Sequence, residues 1–120
     1  MKILFDQGTP VPLRRSLGAH EIVTAFERGW GALQNGDLLH AAETEGFAAI
    51  VTTDQNLRYQ QNLPARRLAV LVLLTTDWRL IRQHTDYVAR AVTALKPGDY
   101  VELPFPPSRP TPLTDPAAGP

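Results

Sequence analysis

The sequence predicts an α/β protein in which helices cover both faces of a mainly parallel sheet, giving a three-layer α/β/α arrangement. Short apolar runs alternate along the chain with segments of helical periodicity. Two of these runs, residues 48–51 and 68–74, are apolar without alternation, as in parallel strands buried on both faces. A hydrophobic fraction of 43% in 120 residues is enough for one core, so one domain is expected.

The first part of the chain is predicted to form two strands joined by a short helix. Residues 2–5 make the first strand, which leads directly into Asp6. In the following loop Gly8 is free to adopt a positive φ, and a helix is expected over residues 11–17. Residues 20–24 make the second strand, and residues 26–34 are irregular and aromatic.

The stretch 35–56 is predicted to be a helix, a tight turn and a buried strand with an acid at each end. Asn35 is placed to cap the first helical turn, and Gly46 is placed to end the helix in the left-handed conformation. The helix should run antiparallel to the strand that follows it. Asp37, near the helix N-terminus, and Asp54, after the strand, are therefore expected at the same edge of the sheet.

The second half is predicted to contain two further strands and the longest helix. After one polar helical turn ended by Pro64, residues 68–74 form a central strand. Asp77 caps a helix that continues to Leu95 with apolar residues at helical spacing. Residues 100–103 form a last strand at an edge. Residues 104–120 contain seven of the eleven prolines and are predicted to be a disordered or polyproline-like tail, so the folded domain is residues 1–103.

Acidic residues are predicted to converge where the parallel strands end, which is the edge where such sheets bind ligands. Asp6, Asp37 and Asp54 form this group, and Asp77 is a candidate fourth acid whose alternative role is helix capping. Clustered carboxylates suit a hard cation such as Mg²⁺ or Mn²⁺. Such an ion can polarise a phosphodiester and generate a hydroxide. The sequence therefore predicts a hydrolytic metal site at this edge.

Composition excludes several other kinds of site. The chain has no cysteine, which excludes disulfides, thiolate zinc sites and cysteine nucleophiles and fits a cytoplasmic protein. The three histidines are not spaced as a metal site. No apolar run approaches the ~20 residues of a membrane helix. The net charge is zero, so nucleic acid would have to be bound by a local patch, and ten of the twelve basic residues are arginine.

Five further residues are candidate substrate contacts. Arg14 and Arg28 could bind phosphate, and Trp30 could stack on a base. Gln7 and Asn56 lie close in sequence to the predicted metal ligands. Each arginine could equally be a solvated surface residue, and Trp30 could pack against its own domain.

These residues resemble a PIN-like nuclease domain, of the short group allied to VapC-type toxins. The resemblance is carried by LFDQ with Asp6, by GDLLHAAETEGFAAIVTTD with Asp37 and Asp54, and by LAVLVLL, and it covers residues 1–103. It implies a metal-dependent endoribonuclease in which the three acids are catalytic and hold the ion. It also implies that the protein is a toxin, with RNA as substrate and an antitoxin as partner. A homodimer is also left open.

The chain departs from this family pattern, which keeps alternatives open. An acid expected on a helix between the first acid and the later pair has only the loose counterparts Glu21 and Glu27. Another acid, expected just after Asp54, is absent. A non-catalytic PIN-like module that binds RNA or protein is therefore the alternative function. A third reading, a phosphoacceptor-like signalling domain, would need a lysine after strand four or five, and Lys2 and Lys96 are the only lysines.

Overall fold

The computed structural model describes residues 1–33, 35–59 and 67–107, and it confirms the α/β class. Its strands are β1 Lys2–Phe5, β2 Glu21–Thr24, β3 Ala49–Thr52, β4 Ala69–Leu73 and β5 Tyr100–Leu103. They form one sheet in the order β2-β1-β3-β4-β5, and all neighbouring pairs are parallel. The last strand lies at an edge, as predicted.

Helices cover both faces of the sheet. The helices are α1 Asn35–Thr44, α2 Trp78–Ile81 and α3 Thr85–Thr93, with 3-10 helices at Val11–Leu17, Gln55–Tyr59 and Arg82–His84. Leu4 and Ile50 point to the face covered by α1, whereas Phe5 and Val51 point to the face covered by α3. Both faces of the central strands are therefore buried, which explains their unbroken apolar runs. None of the described helices has the length and apolar character needed to span a membrane.

The connections between strands do not all have the same hand. The β2-to-β3 and β4-to-β5 connections step in the same direction across the sheet. The helix α1 of the first connection packs on one face, and α2 and α3 of the second pack on the other. Two crossovers with the same direction on opposite faces must have opposite hands, so one is left-handed. Such crossovers are right-handed in nearly all proteins, so one connection of this sheet departs from that rule.

The long helix predicted from Asp77 to Leu95 is divided. Asp77 caps a helix as predicted, but α2 ends at Ile81 and a 3-10 turn separates it from α3. The break falls at His84, whose φ of −135° and ψ of 35° are not helical. Residues 82–86 have no large apolar side chain, so a continuous helix would gain no burial there. Asp86 instead lies in the first turn of α3, where the helix dipole favours an acid.

Gly46 and Gly8 both lie in turns, but their backbone conformations differ. Gly46 has a φ of +83°, which confirms the predicted left-handed helix stop. Gly8 is not among the described glycines with positive φ, so that prediction is wrong. A Cβ added at Gly8 would lie 2.5 Å from Thr53 Oγ1. A side chain at Gly8 would therefore require the Thr53 hydroxyl to move, because the loop after β1 closely approaches the end of β3.

Three predictions fall wholly or largely outside the described residues. They are the cap by the Asn35 side chain, the end of the polar turn at Pro64, and residues 108–120 of the predicted tail. The first residues of that tail, 104–107, are described.

Phe105, in this part of the tail, packs against the core on the α3 face. The rings of Phe105 and Tyr87 meet edge to face, with their centroids 5.7 Å apart. Packing of the chain therefore continues past Leu103.

We expect Phe105→Ala to lower the free energy of unfolding by about 1–2 kcal/mol, because it removes a partly buried ring and its edge-to-face contact. The matched control is Phe26→Ala, since Phe26 is 77% exposed and its truncation should change stability by less than about 0.5 kcal/mol. Urea unfolding monitored by circular dichroism measures both variants. Equal losses in the two would contradict the packing of Phe105 on α3.

Candidate active site

Strands β1 and β3 flank the point where the chain changes direction across the sheet. From β1 the chain moves to β2 on one side, and it then crosses to β3 on the other side of β1. In open parallel sheets a ligand-binding crevice forms at such a point, outside the carboxyl ends of the strands. Asp6 directly follows β1, and Asp54 follows β3 after one intervening residue. Both acids therefore lie at this crevice.

A buried threonine links the two acids. Thr52, the last residue of β3, is 0% exposed, and its hydroxyl donates to Asp6 Oδ2 at 2.7 Å. The same hydroxyl oxygen accepts a hydrogen bond from the Asp54 backbone N–H at 3.0 Å. The Asp6 N–H donates to the Val51 carbonyl at 2.9 Å, so the pairing of β1 with β3 extends to the first acid. Strand pairing thus fixes the backbone beside both carboxylates.

Neighbouring backbone amides orient the carboxylates. The Gln7 N–H donates to Asp6 Oδ1 at 2.7 Å, and the Asn56 N–H donates to Asp54 Oδ1 at 2.9 Å. The buried Thr9 hydroxyl anchors the loop after β1 by donating to the Val51 carbonyl at 2.8 Å. Each acid is therefore held by its own loop as well as by the sheet.

A polar cleft of about 400 Å³, here called the acid cleft, opens beside these groups. It is lined by Asp6, Gln7, Gly31, Leu33, Leu38, Asp54 and Asn56. Gly31 and Leu33 belong to the loop after β2, and a Cβ added at Gly31 would lie 3.2 Å from Gln7 Oε1. The loop therefore lies against the Gln7 side chain. Gln7 and Asn56, predicted from sequence as substrate contacts, thus lie in the cleft with two of the predicted acids.

Asp37 reaches the same edge of the sheet but does not line the acid cleft. It lies exposed in the first turn of α1, and the next residue, Leu38, lines the cleft. The predicted position of the helix N-terminus is therefore confirmed. Within residues 1–33, 35–59 and 67–107, no three acidic, histidine or cysteine side chains form a group that could hold a metal ion. Of the three predicted acids, the cleft contains Asp6 and Asp54.

Other acids considered from the sequence have distinct positions. Asp77 Oδ1 accepts the Arg79 N–H at 2.9 Å, so Asp77 caps α2. Glu21 begins β2 and therefore lies at the amino edge of the sheet, away from the cleft. Glu27 lies at the carboxyl edge, in a groove that also includes Asp6. Of the two loose counterparts of the missing family acid, Glu27 is the one near the cleft.

Glu27 stabilises the turn that follows β2. Its Oε1 accepts the Thr24 N–H, and Thr24 Oγ1 accepts the Glu27 N–H, each at 3.0 Å. The Glu27 carboxylate also accepts a hydrogen bond from Arg14 at 2.5 Å. The hydrogen bond from Arg14, followed by the one from the Thr24 backbone, holds the pKa of Glu27 below its ordinary value. Arg14, a predicted phosphate contact, is thus engaged by an acid.

Arg28 and Trp30 also contact their own domain. Arg28 forms an ion pair with Glu45 and lies over the Trp30 ring, 4.9 Å from its centroid. Trp30 meets Phe47 edge to face, with centroids 6.1 Å apart. These contacts agree with the structural alternative for Trp30, a ring packed against its own domain. The proposed contacts of Arg14, Arg28 and Trp30 with RNA remain predictions.

Thr52 belongs to the sequence motif that carries the family resemblance, but no role was predicted for it, although a hydroxyl at the end of a buried apolar strand was a visible signal. We expect Thr52→Val to lower the free energy of unfolding by about 1–3 kcal/mol, because Asp6 and the Asp54 N–H each lose a partner. Hydrogen exchange of the Asp54 amide should also become faster. Thr52→Ser, which keeps the hydroxyl, should leave that exchange slow. Equal exchange rates in the two variants would contradict the bridging role.

The pairing of Glu27 with Arg14 predicts a pH dependence. Because folding lowers the pKa of Glu27 from its ordinary value of 4.5, ionised Glu27 stabilises the fold above that pH, and this contribution is lost as the pH falls through the lowered pKa. The difference in stability between wild type and Glu27→Gln should therefore be constant near neutral pH and vanish in acid. Urea unfolding across this range measures it. A difference that persists in strong acid would contradict the assignment.

Comparisons with known proteins do not assign this chain to a family. No family model matches the sequence, and no curated protein or solved structure matches the chain. The resemblance to PIN-like nucleases therefore remains a prediction from the sequence motif, and a function has to be inferred from the geometry of the acid cleft.

Proposed function

We propose that this protein is a metal-dependent endoribonuclease whose catalytic centre is the acid cleft. The observation that carries the proposal is the position of Asp6 and Asp54 on either side of the strand switch point, with Thr52 hydrogen-bonded to both residues. Parallel sheets bind ligands at this point. The resemblance to PIN-like domains suggests the reaction class, and the shared cleft supports Asp6 and Asp54 as the residues of this proposal.

The oxygen donors of the acid cleft fit Mg²⁺ or Mn²⁺. Asp6 and Asp54 supply two carboxylates, and Gln7 and Asn56 supply side-chain amide oxygens in the same lining. Mg²⁺ typically uses one or two protein carboxylates and completes its shell with water and phosphate oxygens, so two acids are sufficient. A cation held by Asp6 and Asp54 would polarise the phosphodiester and activate the attacking water.

The surrounding residues would prepare the two carboxylates for this role. The Thr52 hydroxyl and the amides of Gln7 and Asn56 fix the carboxylates before substrate arrives, so little reorganisation is needed on binding. Arg14 and Arg28 stay candidate phosphate contacts in this proposal, and in the free protein they are paired with Glu27 and Glu45.

One observation favours a second candidate function. The described residues contain no group of three acidic or histidine side chains placed to bind metal, which fits a PIN-like module that binds RNA or protein without cleavage. The proposal also includes four predictions from the sequence, namely a toxin role, an antitoxin partner, a homodimer and a cytoplasmic location.

The lysine positions oppose the phosphoacceptor alternative. Lys2 Nζ donates to the Glu45 carbonyl, and Lys96 lines a cavity with residues that precede β1, β3 and β4. Both lysines therefore lie at the amino edge of the sheet, opposite the acid cleft. The sequence contains no other lysine that could serve at the carboxyl edge.

We expect Asp54→Asn and Asp6→Asn each to weaken Mn²⁺ binding and to slow RNA cleavage at least about 100-fold, because each removes a charged ligand while keeping the side-chain shape. The matched control is Asp77→Asn, at the same edge but outside the cleft lining. It should keep both properties, since Asn also caps a helix well. Isothermal titration with Mn²⁺ and cleavage of single-stranded RNA with and without Mn²⁺ measure the effects.

The two candidate functions give different results in this experiment. Mn²⁺-dependent cleavage that survives in Asp54→Asn would reject the assignment of the catalytic residues. A folded wild type that binds no Mn²⁺ and cleaves no RNA would reject the nuclease and favour the binding module. Melting temperatures of all variants in EDTA show whether a loss of activity comes from a loss of fold.

A further inference from the structure

A second groove adjoins the acid cleft. This groove, here called the Phe26 groove, has a volume of about 340 Å³ and is lined by Asp6, Gln7, Thr9, Val11, Thr24, Phe26 and Glu27. It shares Asp6 and Gln7 with the acid cleft, so the two sites border each other. Their character differs, because the Phe26 groove is mainly apolar whereas the acid cleft is mainly polar.

Phe26 is exposed on a well-ordered turn. Among the described residues it is the most exposed large hydrophobic side chain, at 77%. The turn is fixed by the reciprocal hydrogen bonds of Thr24 and Glu27 and by the ion pair of Glu27 with Arg14. The Gly29 N–H also donates to the Phe26 carbonyl at 3.0 Å. The backbone therefore presents the Phe26 ring in a defined place while leaving its surface open.

We propose that the Phe26 groove binds one base of a single-stranded RNA by stacking on Phe26, next to a phosphate at the acid cleft. This proposal rests on the proposed function, which places the sugar-phosphate backbone at Asp6 and Asp54. An RNA strand presents phosphates and flat apolar rings side by side, and this matches a polar cleft that borders an apolar groove. Unpaired bases in RNA are commonly bound by stacking on aromatic side chains.

Polar groups at the edge of the groove complement the edge of a base. Glu27 can accept a hydrogen bond from an exocyclic amino group, and the Gln7 amide can both donate and accept. The stacking face comes from Phe26. Paired RNA would not present a free ring to this surface, so the groove should select single strands.

Phe26 thus replaces Trp30 as the stacking residue. The Trp30 ring is already in contact with Phe47 on one side and Arg28 on another. These two contacts and its partial burial leave less of the Trp30 ring open to a base. The Phe26 ring, by contrast, is largely open to solvent.

The experiment measures fluorescence anisotropy of a labelled single-stranded oligoadenylate in EDTA and low salt, where no metal-dependent cleavage consumes the probe. Phe26→Ala should weaken binding about five- to 150-fold, the range for loss of one base–aromatic stack. Phe26→Trp should retain binding. Val11→Ala is the matched control in the same groove and should change binding less than about threefold, because Val11 offers no stacking face. An abasic oligomer of equal length should bind wild type and Phe26→Ala equally.

Other results would overturn the proposal. These are no oligoadenylate binding by wild type, unchanged binding by Phe26→Ala, or an equal loss with the abasic oligomer. Sedimentation tests whether the groove instead binds a second copy of this chain. If the wild type is a dimer and Phe26→Ala is a monomer, the groove is an interface between copies and the RNA proposal is overturned. Phe26 has no part in metal binding, so the two proposals can fail separately. If the wild type cleaves RNA and Phe26→Ala binds RNA as tightly as the wild type, the groove proposal is rejected and the nuclease proposal stands. If RNA binding depends on Phe26 but the wild type binds no Mn²⁺, the nuclease proposal is rejected and the groove proposal is supported.

Discussion

The parallel pairing of β1 with β3 is the constraint on which the candidate site depends. Leu4 pairs with Ile50 and Phe5 with Val51, and the hydrogen bond from Asp6 to Val51 extends this ladder into the site. Because both faces of these strands are buried, alternation of polar and apolar residues cannot set their register. The close approach of Gly8 to Thr53 and the Thr52–Asp6 hydrogen bond add side-chain and loop contacts specific to this register. A slip would separate the threonine from the first acid.

The two arginines predicted to bind phosphate are paired with other acids and do not neutralise the carboxylates of the acid cleft. Arg14 is paired with Glu27, and Arg28 is paired with Glu45. Asp6 is instead hydrogen-bonded by the neutral Thr52 hydroxyl and the Gln7 amide. These contacts orient the carboxylate without cancelling its charge, which is the condition required for binding a cation.

The unusual crossover has a physical consequence for packing. The seven-residue 3-10 helix after β1 buries only Leu13 and Leu17, which is too little to cover its face of the sheet. Because the β4-to-β5 connection passes over this same face, α3 contributes Val88 and Val92 to one cluster with those leucines. The opposite face is left to α1 and the loop after β2, which line the acid cleft with Leu38 and Gly31.

The sequence by itself determined the α/β class, the strands and the edge at which Asp6 and Asp54 meet, because apolar runs are local and parallel topology brings strand ends together. It could not show that the long helix is divided, where Glu21 and Glu27 lie, or that Asp37 is not part of the cleft lining. It also indicated Trp30 as an aromatic contact for RNA, which stays a prediction, and it did not show that Phe26 is an exposed ring. Tertiary structure decided these points because burial and pairing depend on residues far apart in the chain, as with Thr52 and Asp6, which are 46 positions apart.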